Sequence, residues 1–408
     1  MANILSGLTV IDLTQNVAGP FCSQMLGDLG ATVIKIERPG HGDDTRHWHP
    51  PLWGEESSTF LALNRNKKSI CVDLNHSEGQ NIVRELCKKA DIFIHSLKPG
   101  SEESRGLGYE TLSEINPSLI YAAISAFGDK GKMKNKPGYD PLIQAYSGIM
   151  SLTGNEGDDP ARVGVSIVDM ATGMWSLIGI LTALHQRNET GKGCKVANSL
   201  LETGVAWVTL QLSTFMASGR LPRKMGTGMA TTAPYEAFKT KGDQWAIIAA
   251  GNNRLFKNLC EALQMPELVE DPRFESNSSR VQNRKELHRL IEECTLRYEV
   301  DDLVSLMAEY NVPSSPINTL DRVLRDEQVN ALSLIKPVEG FRVSDFRMVD
   351  LPFRINEERG NLQSLPPLLG EHTVEILRSL NYSEEALEQL KSKSIIGWEA
   401  DDELTPTR

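Results

Sequence analysis

The chain has 408 residues, of which 40% are hydrophobic and 24% charged, with a formal net charge of −11. That length accommodates two or three domains, and the composition is ordinary for a globular protein. The acidic balance argues against nucleic acid or an anionic membrane as main partner, since both recruit basic surfaces. An anionic ligand then has to be met by a local group of Lys and Arg.

The six cysteines, at 22, 71, 87, 194, 260 and 294, include no CxxC pair. Reduced thiols in the cytoplasm are expected, with neither a zinc site nor a disulfide framework. The start of the chain, MANILSGLTVIDL, is too short and too lightly charged for a signal peptide. No apolar run reaches about 18 residues without a polar break, so no membrane span is expected.

Residues 8–36 read as a βαβ unit, with a strand at 8–13, a helix opened by Ala18-Gly19-Pro20 and ended by Gly30, and a strand at 31–36. Glu37-Arg38 follows the second strand. An acid there holds a ribose in dinucleotide folds, but the first loop lacks GxGxxG, and Arg38 suits a phosphate-bearing ligand better. The alternation continues with a strand at 69–74, a helix at 77–90, and strands at 92–96 and 119–125, as in a parallel sheet. Lys98 and Arg105 lie in the loop after 96, where such sheets bind ligands. Together with Arg38 they make a candidate anion site. The acidic pairs Glu55-Glu56 and Glu102-Glu103 read as solvated faces. The run KMKNK at 132–136 reads as an exposed loop, and a helix is expected at 141–150.

Val163, Val165 and Ile167 alternate with small or polar residues, which suggests a short strand. Asp169 follows, and a mostly apolar helix runs from 170 to about 187. Two readings of Asp169 stand at this point. It is a helix cap, accepting from the free first-turn N–H groups. Or it is a nucleophile, a carboxylate kept ionised at a helix N-terminus and able to attack an activated acyl carbon.

Beyond it, a strand is expected at 195–199 and a helix at 201–216. A Gly- and Lys/Arg-rich linker spans 217–230. A second unit spans 231–325, with strands at 235–239 and 244–249 and helices at 254–263, 283–293 and 300–310. Residues 326–339 form another linker within a strand-rich stretch ending near Phe353. A closing loop and helices cover 366–390, and the acidic tail from 399 is expected to fray.

Taken together, GLTVIDLTQNVAGPFCSQMLGDLGATVIKIERPGHGDDTR, LNRNKKSICVDL, PGYDPLIQAYSG, VSIVDMATG, RNETGKG and PPLLGEHT resemble the class III (CaiB/BaiF) coenzyme A transferases. The resemblance runs from residue 7 to about 373. It implies an α/β fold in which a Rossmann-like large domain (1–216 with 340–408) carries an inserted small α+β domain (231–325). It also implies interlocked-ring homodimers. It identifies Asp169 with the family's catalytic aspartate, which carries an acyl group as an anhydride and then CoA as a thioester. No permanently bound cofactor is implied, since coenzyme A is a substrate.

By the same resemblance, Arg38, Val72, Asn75, Ser96, Lys98 and Arg105 stand at CoA-binding positions, although Val72, Asn75 and Ser96 depart from the residues of formyl-CoA transferase. Val17, Trp48, Tyr139, Gly226 and Gly228 stand around the substrate pocket. Val17 replaces a Gln, and only Gly226-Thr227-Gly228 remains near a longer glycine loop, so formate/oxalate exchange is disfavoured. Other stretches look most like the branch that moves CoA between succinate and glutarate-type dicarboxylates. Arg46 or Arg65 is the candidate cation for a second carboxylate. The alternative is an α-methylacyl-CoA racemase on the same fold. Its catalytic His falls at Tyr139, a poor base at neutral pH.

Overall fold

A computed structural model describes residues 3–398. The chain divides into two compact units. The larger takes in the chain to Gly148, Val163–Leu210 and the part from Leu332 onward, and the smaller is Ile149–Arg162 with Gln211–Ala331.

The larger unit is built on a seven-stranded sheet. Its strands are β1 (Thr9–Leu13), β2 (Thr32–Glu37), β3 (Lys67–Val72), β4 (Ile92–His95), β5 (Ile120–Ser125) and β6 (Lys195–Ser199). The order is β3-β2-β1-β4-β5-β6, and all these neighbours pair in parallel. Ile396–Gly397 closes the free edge of β3 in the antiparallel sense. Strands covered on both faces read as continuous apolar runs rather than alternating ones. Val10, Ile11, Ile92, Phe93 and Ile94 are accordingly all buried.

Helix α1 (Ala18–Asp28) returns from β1 to β2, and Gly30 ends its turn with a φ of 110° that other residues rarely adopt. The longest helix described, α3 (Ile167–Thr190), packs on α1. Gly173 allows the approach, because a Cβ there would lie 2.6 Å from the Ala18 carbonyl oxygen.

Several expectations are corrected. Residues 163–167 form no strand: Val163 bonds through both its N–H and its carbonyl to the Gln144 side chain, and α3 begins at Ile167. The helix expected at 141–150 ends at Tyr146, and Gly148 turns the chain at φ 92° before a short helix at Ile149–Leu152. The helix expected at 201–216 is two, Leu200–Trp207 and Thr209–Ser218. The strand-rich stretch holds one antiparallel pair, Ile335–Pro337 with Arg347–Val349. By length and composition alone, α3 is apolar enough to cross a membrane (mean hydropathy 1.6), since its polar residues interrupt the run without lowering its average. Half of that stretch is buried inside the fold. Glu102 is buried rather than solvated. The acidic tail lies outside the described residues.

The smaller unit has its own core of Phe238, Ile248, Phe256, Leu259, Ile291 and Leu303. A three-stranded antiparallel sheet sets Trp245–Ala249 between Tyr235–Lys239 and Ser314–Pro316. Fully buried Arg280 ties it together, donating to the carbonyls of Ala233, Gly251 and Phe274, each at 2.9 Å.

Candidate active site

Strand order reverses between β1 and β4, so the loops leaving these strands diverge and open a crevice at their C-terminal ends. A cavity of about 430 Å³ occupies that place. Residues 15–19 after β1, 96–99 after β4 and Ile124, Ser125 and Ala126 at the C-terminal end of β5 line it, together with Trp48, residues 134–139, Asp169 and Leu200. Its size suits a small ligand or the reactive end of a larger one.

The loop after β1 is anchored from beneath by a charged network that is itself sealed from solvent. Lys35 Nζ donates to the Thr14 carbonyl at 2.9 Å and pairs with Asp43 at 2.8 Å. Asp43 Oδ1 accepts from the Asn16 N–H at 3.2 Å, which holds Asn16 at a left-handed φ of 68°. Asp12 accepts from Thr14, Ser23 and Lys67. Gly19 is required here, since a Cβ would fall 2.3 Å from the Thr14 side chain. The N-cap residue of α1, Val17, makes no side-chain cap bond, so first-turn N–H groups of α1 stand beside the cavity at Ala18 and Gly19.

Asp169 is the third residue of α3, not its cap. The cap bonds come from Asp140, at the start of α2 (Asp140–Tyr146), whose Oδ2 accepts from the N–H groups of Val168 (2.8 Å) and Asp169 (3.2 Å). The Asp169 carboxylate has no ion pair among the described residues and borders the cavity. Burial raises its pKa to about 7, assisted by the negative charge of Asp140. An under-solvated carboxylate of this kind suits acyl or proton transfer.

Of the residues singled out from sequence, Val17, Trp48, Ser96, Lys98, Tyr139 and Asp169 meet at this cavity. Arg38, Val72, Asn75 and Arg105 do not line it. Arg38 donates to the Gly42 carbonyl and pairs with Asp44. Arg105 is held by the Ser101 carbonyl at 3.0 Å. The Val72 side chain is in the sheet core, leaving only its backbone for a ligand. Gly226 and Gly228 belong to the smaller unit.

The cations assigned to a second carboxylate are corrected. Arg46 is spent on Glu37 in a two-bond pair at 2.8 Å and stacks over Phe60. The same pairing removes Glu37 as a ribose acceptor. Arg65 makes the equivalent pair with Asp28. Sequence reasoning missed Lys134 and Lys136 on the cavity wall, where a basic run directly before Pro137-Gly138-Tyr139-Asp140 was the available signal. It also missed Asp140, flagged by an Asp placed before a Pro at a helix start. No cluster of metal-ligating side chains occurs among the described residues.

The family model for CoA-transferase family III matches residues 5–373. Succinyl-CoA:glutarate CoA-transferase of Mus musculus is 40% identical over 398 residues, covering 96% of this chain and 90% of the mouse protein. Succinate–glutarate CoA-transferase of Agrobacterium fabrum is 36% identical over 382 residues, covering 92% and 95%. A crystal structure of a CaiB/BaiF family protein from Brucella suis superposes with a TM-score of 0.84 at 38% identity, covering 92% and 99%. A central parallel sheet, a lone carboxylate at its crevice and matches of this length agree: the chain belongs to CoA-transferase family III and is a CoA-transferase.

Proposed function

We propose that the enzyme moves coenzyme A from succinyl-CoA to a small dicarboxylic acid of the glutarate type, through covalent intermediates on Asp169. The names of the relatives above support the substrate class. The single observation that carries the mechanism is the Asp169 carboxylate, free of cap and counter-ion, at the wall of the cavity.

The Asp169 oxygen attacks the thioester carbonyl, and the C–S bond breaks to give an acyl-aspartyl anhydride and CoA thiolate. The thiolate attacks the aspartyl carbonyl and releases the donor acid, leaving an aspartyl-CoA thioester. The acceptor carboxylate then reverses both steps. Anhydride and thioester are both activated acyl groups, so no step needs ATP, a metal or a resident cofactor. The N–H groups at the start of α3 are occupied by Asp140, so we assign oxyanion stabilisation to Ala18 and Gly19 on α1.

Lys98 is assigned to the CoA chain, with Arg38 and Arg105 on the nucleotide phosphates and Val72, Asn75 and Ser96 around the adenosine. Arg38 has to exchange Asp44 for phosphate. Val17, Trp48 and Tyr139 shape the acyl pocket. We also infer an interlocked homodimer with the small domain inserted in the large one, in the cytoplasm. Supporting the dimer, α3 exposes Met174, Trp175, Ile178 and Leu181 on one side.

The test is incubation with succinyl-CoA and hydroxylamine, followed by peptide mass spectrometry. A hydroxamate on Asp169 supports the mechanism. A protein that stays unmodified while exchanging CoA sinks it. Glutarate, oxalate, mesaconate and carnitine as acceptors then define the substrate class.

A further inference from the structure

We propose that Asp140 is the positioning residue of this site, capping α3 from outside so that the Asp169 carboxylate is left to the ligand. The inference rests on the nucleophile reading and adds a group that does not line the cavity. The first turn of α3 can be accounted for bond by bond. Ile167 N–H donates to the Val165 carbonyl at 2.8 Å, and Met170 N–H to Ser166 at 2.9 Å. Val168 and Asp169 N–H both donate to Asp140 Oδ2. Those last two are the groups an N-cap side chain ordinarily serves, and Ser166, in the N-cap position, makes no such bond.

No first-turn donor therefore remains for the Asp169 side chain to fold back upon. Were Asp140 absent, Asp169 would be the nearest acceptor for its own helix end, and the bland capping role would compete with chemistry. Asp140 is itself fixed. It is 3% exposed, and its Oδ1 accepts from Gln144 Nε2 at 2.5 Å. Gln144 Oε1 in turn accepts from the Val163 N–H at 2.8 Å, securing the loop that enters α3.

The same placement sets a like charge near Asp169. Other charged or titratable groups around the carboxylate are Lys98, Lys134, Lys136 and Tyr139 in the cavity wall. From the packed helices, α1 brings no acidic residue in its first turn, and Leu200–Trp207 brings Glu202, which is bonded to Ser199 at 2.7 Å.

Two variants separate the cap from the charge. Asp140→Asn keeps an oxygen for both N–H groups and removes the charge; Asp140→Ala removes both. CoA exchange from succinyl-CoA to glutarate is followed against pH, with CoA affinity and hydroxylamine trapping at Asp169 measured in parallel. In Asp140→Asn, trapping is expected to persist, with the acid limb of kcat/KM moved down by about one pH unit. In Asp140→Ala, kcat and trapping are expected to fall together by about tenfold, with CoA affinity unchanged. Trapping lost in a folded Asp140→Asn, which keeps the cap, overturns the proposal whether or not the Ala variant folds. Wild-type kcat and trapping in a folded Asp140→Ala do the same. If the wild type itself gives no adduct at Asp169, the nucleophile reading fails instead.

Discussion

Two carboxylates beneath and beside the same crevice are treated in opposite ways. Asp12, on β1, is fully buried, and burial alone would hold it protonated. Lys67 and Lys35, with hydrogen bonds from Ser23 and Thr14, outweigh that and bring its pKa down to about 2. Asp169 is less buried, but nothing positive compensates it and Asp140 adds a like charge, so it rises to about 7. The difference lies in the partners and not in the depth. A charge whose every lone pair is occupied serves the structure, and a charge left unsatisfied by the fold is available for a reaction.

The largest expected effect tests that division directly. Asp169→Ala should lower CoA exchange by roughly a thousandfold or more, read as the new thioester by mass spectrometry, with the fold intact. Exchange at the wild-type rate would place the chemistry on another residue.

Asp12→Asn should do the reverse and cost about 3 kcal/mol of stability, because Lys67 and Lys35 lose their shared partner in a dry interior. Urea unfolding midpoints measure this. Asp12→Asn combined with Lys67→Met should recover most of the loss, and equal losses in single and double variants would show that the pair is not coupled. Asp12 has a folded pKa below its ordinary value of 3.8, so its contribution is intact above about pH 4 and lost as pH falls through 2.

The sign is opposite for Asp169. Its folded pKa lies above the ordinary value of 3.8, so its contribution to folding is greatest below that pH and is lost as pH rises through about 7. Asp169→Asn should therefore stabilise the protein at pH 8, by about 2 kcal/mol after allowing for partial exposure, and leave it unchanged near pH 4. A thermal melt that shows the same shift at both pH values removes this account of the site.

The smallest effects belong to the cavity rim. Lys134→Ala and Lys136→Ala should each raise KM for succinyl-CoA about threefold, more at low salt, with kcat unaltered. Arg46→Met, by contrast, should change stability and leave acceptor preference alone. A change of preferred acceptor in Arg46→Met would return that guanidinium to the binding site.

The amino-acid sequence by itself determined the layered α/β architecture, because hydrophobic period and turn residues act within a few positions along the chain. Strands at 8–13, 31–36, 92–96 and 195–199 were legible for that reason, each to within a residue at its ends. Asp169 was legible too, through the motif around it, although its place inside the helix was not. Only the tertiary structure decided which charges neutralise one another. Asp12 meets Lys67 across 55 positions, Asp28 meets Arg65 across 37, and Asp140 caps Val168 across 28. No local pattern encodes such pairings. They took Arg46, Arg65 and Glu37 out of the candidate site and brought Asp140, Lys134 and Lys136 into it. Coulomb and hydrogen-bond energies depend on distance in space, and the fold alone sets that distance.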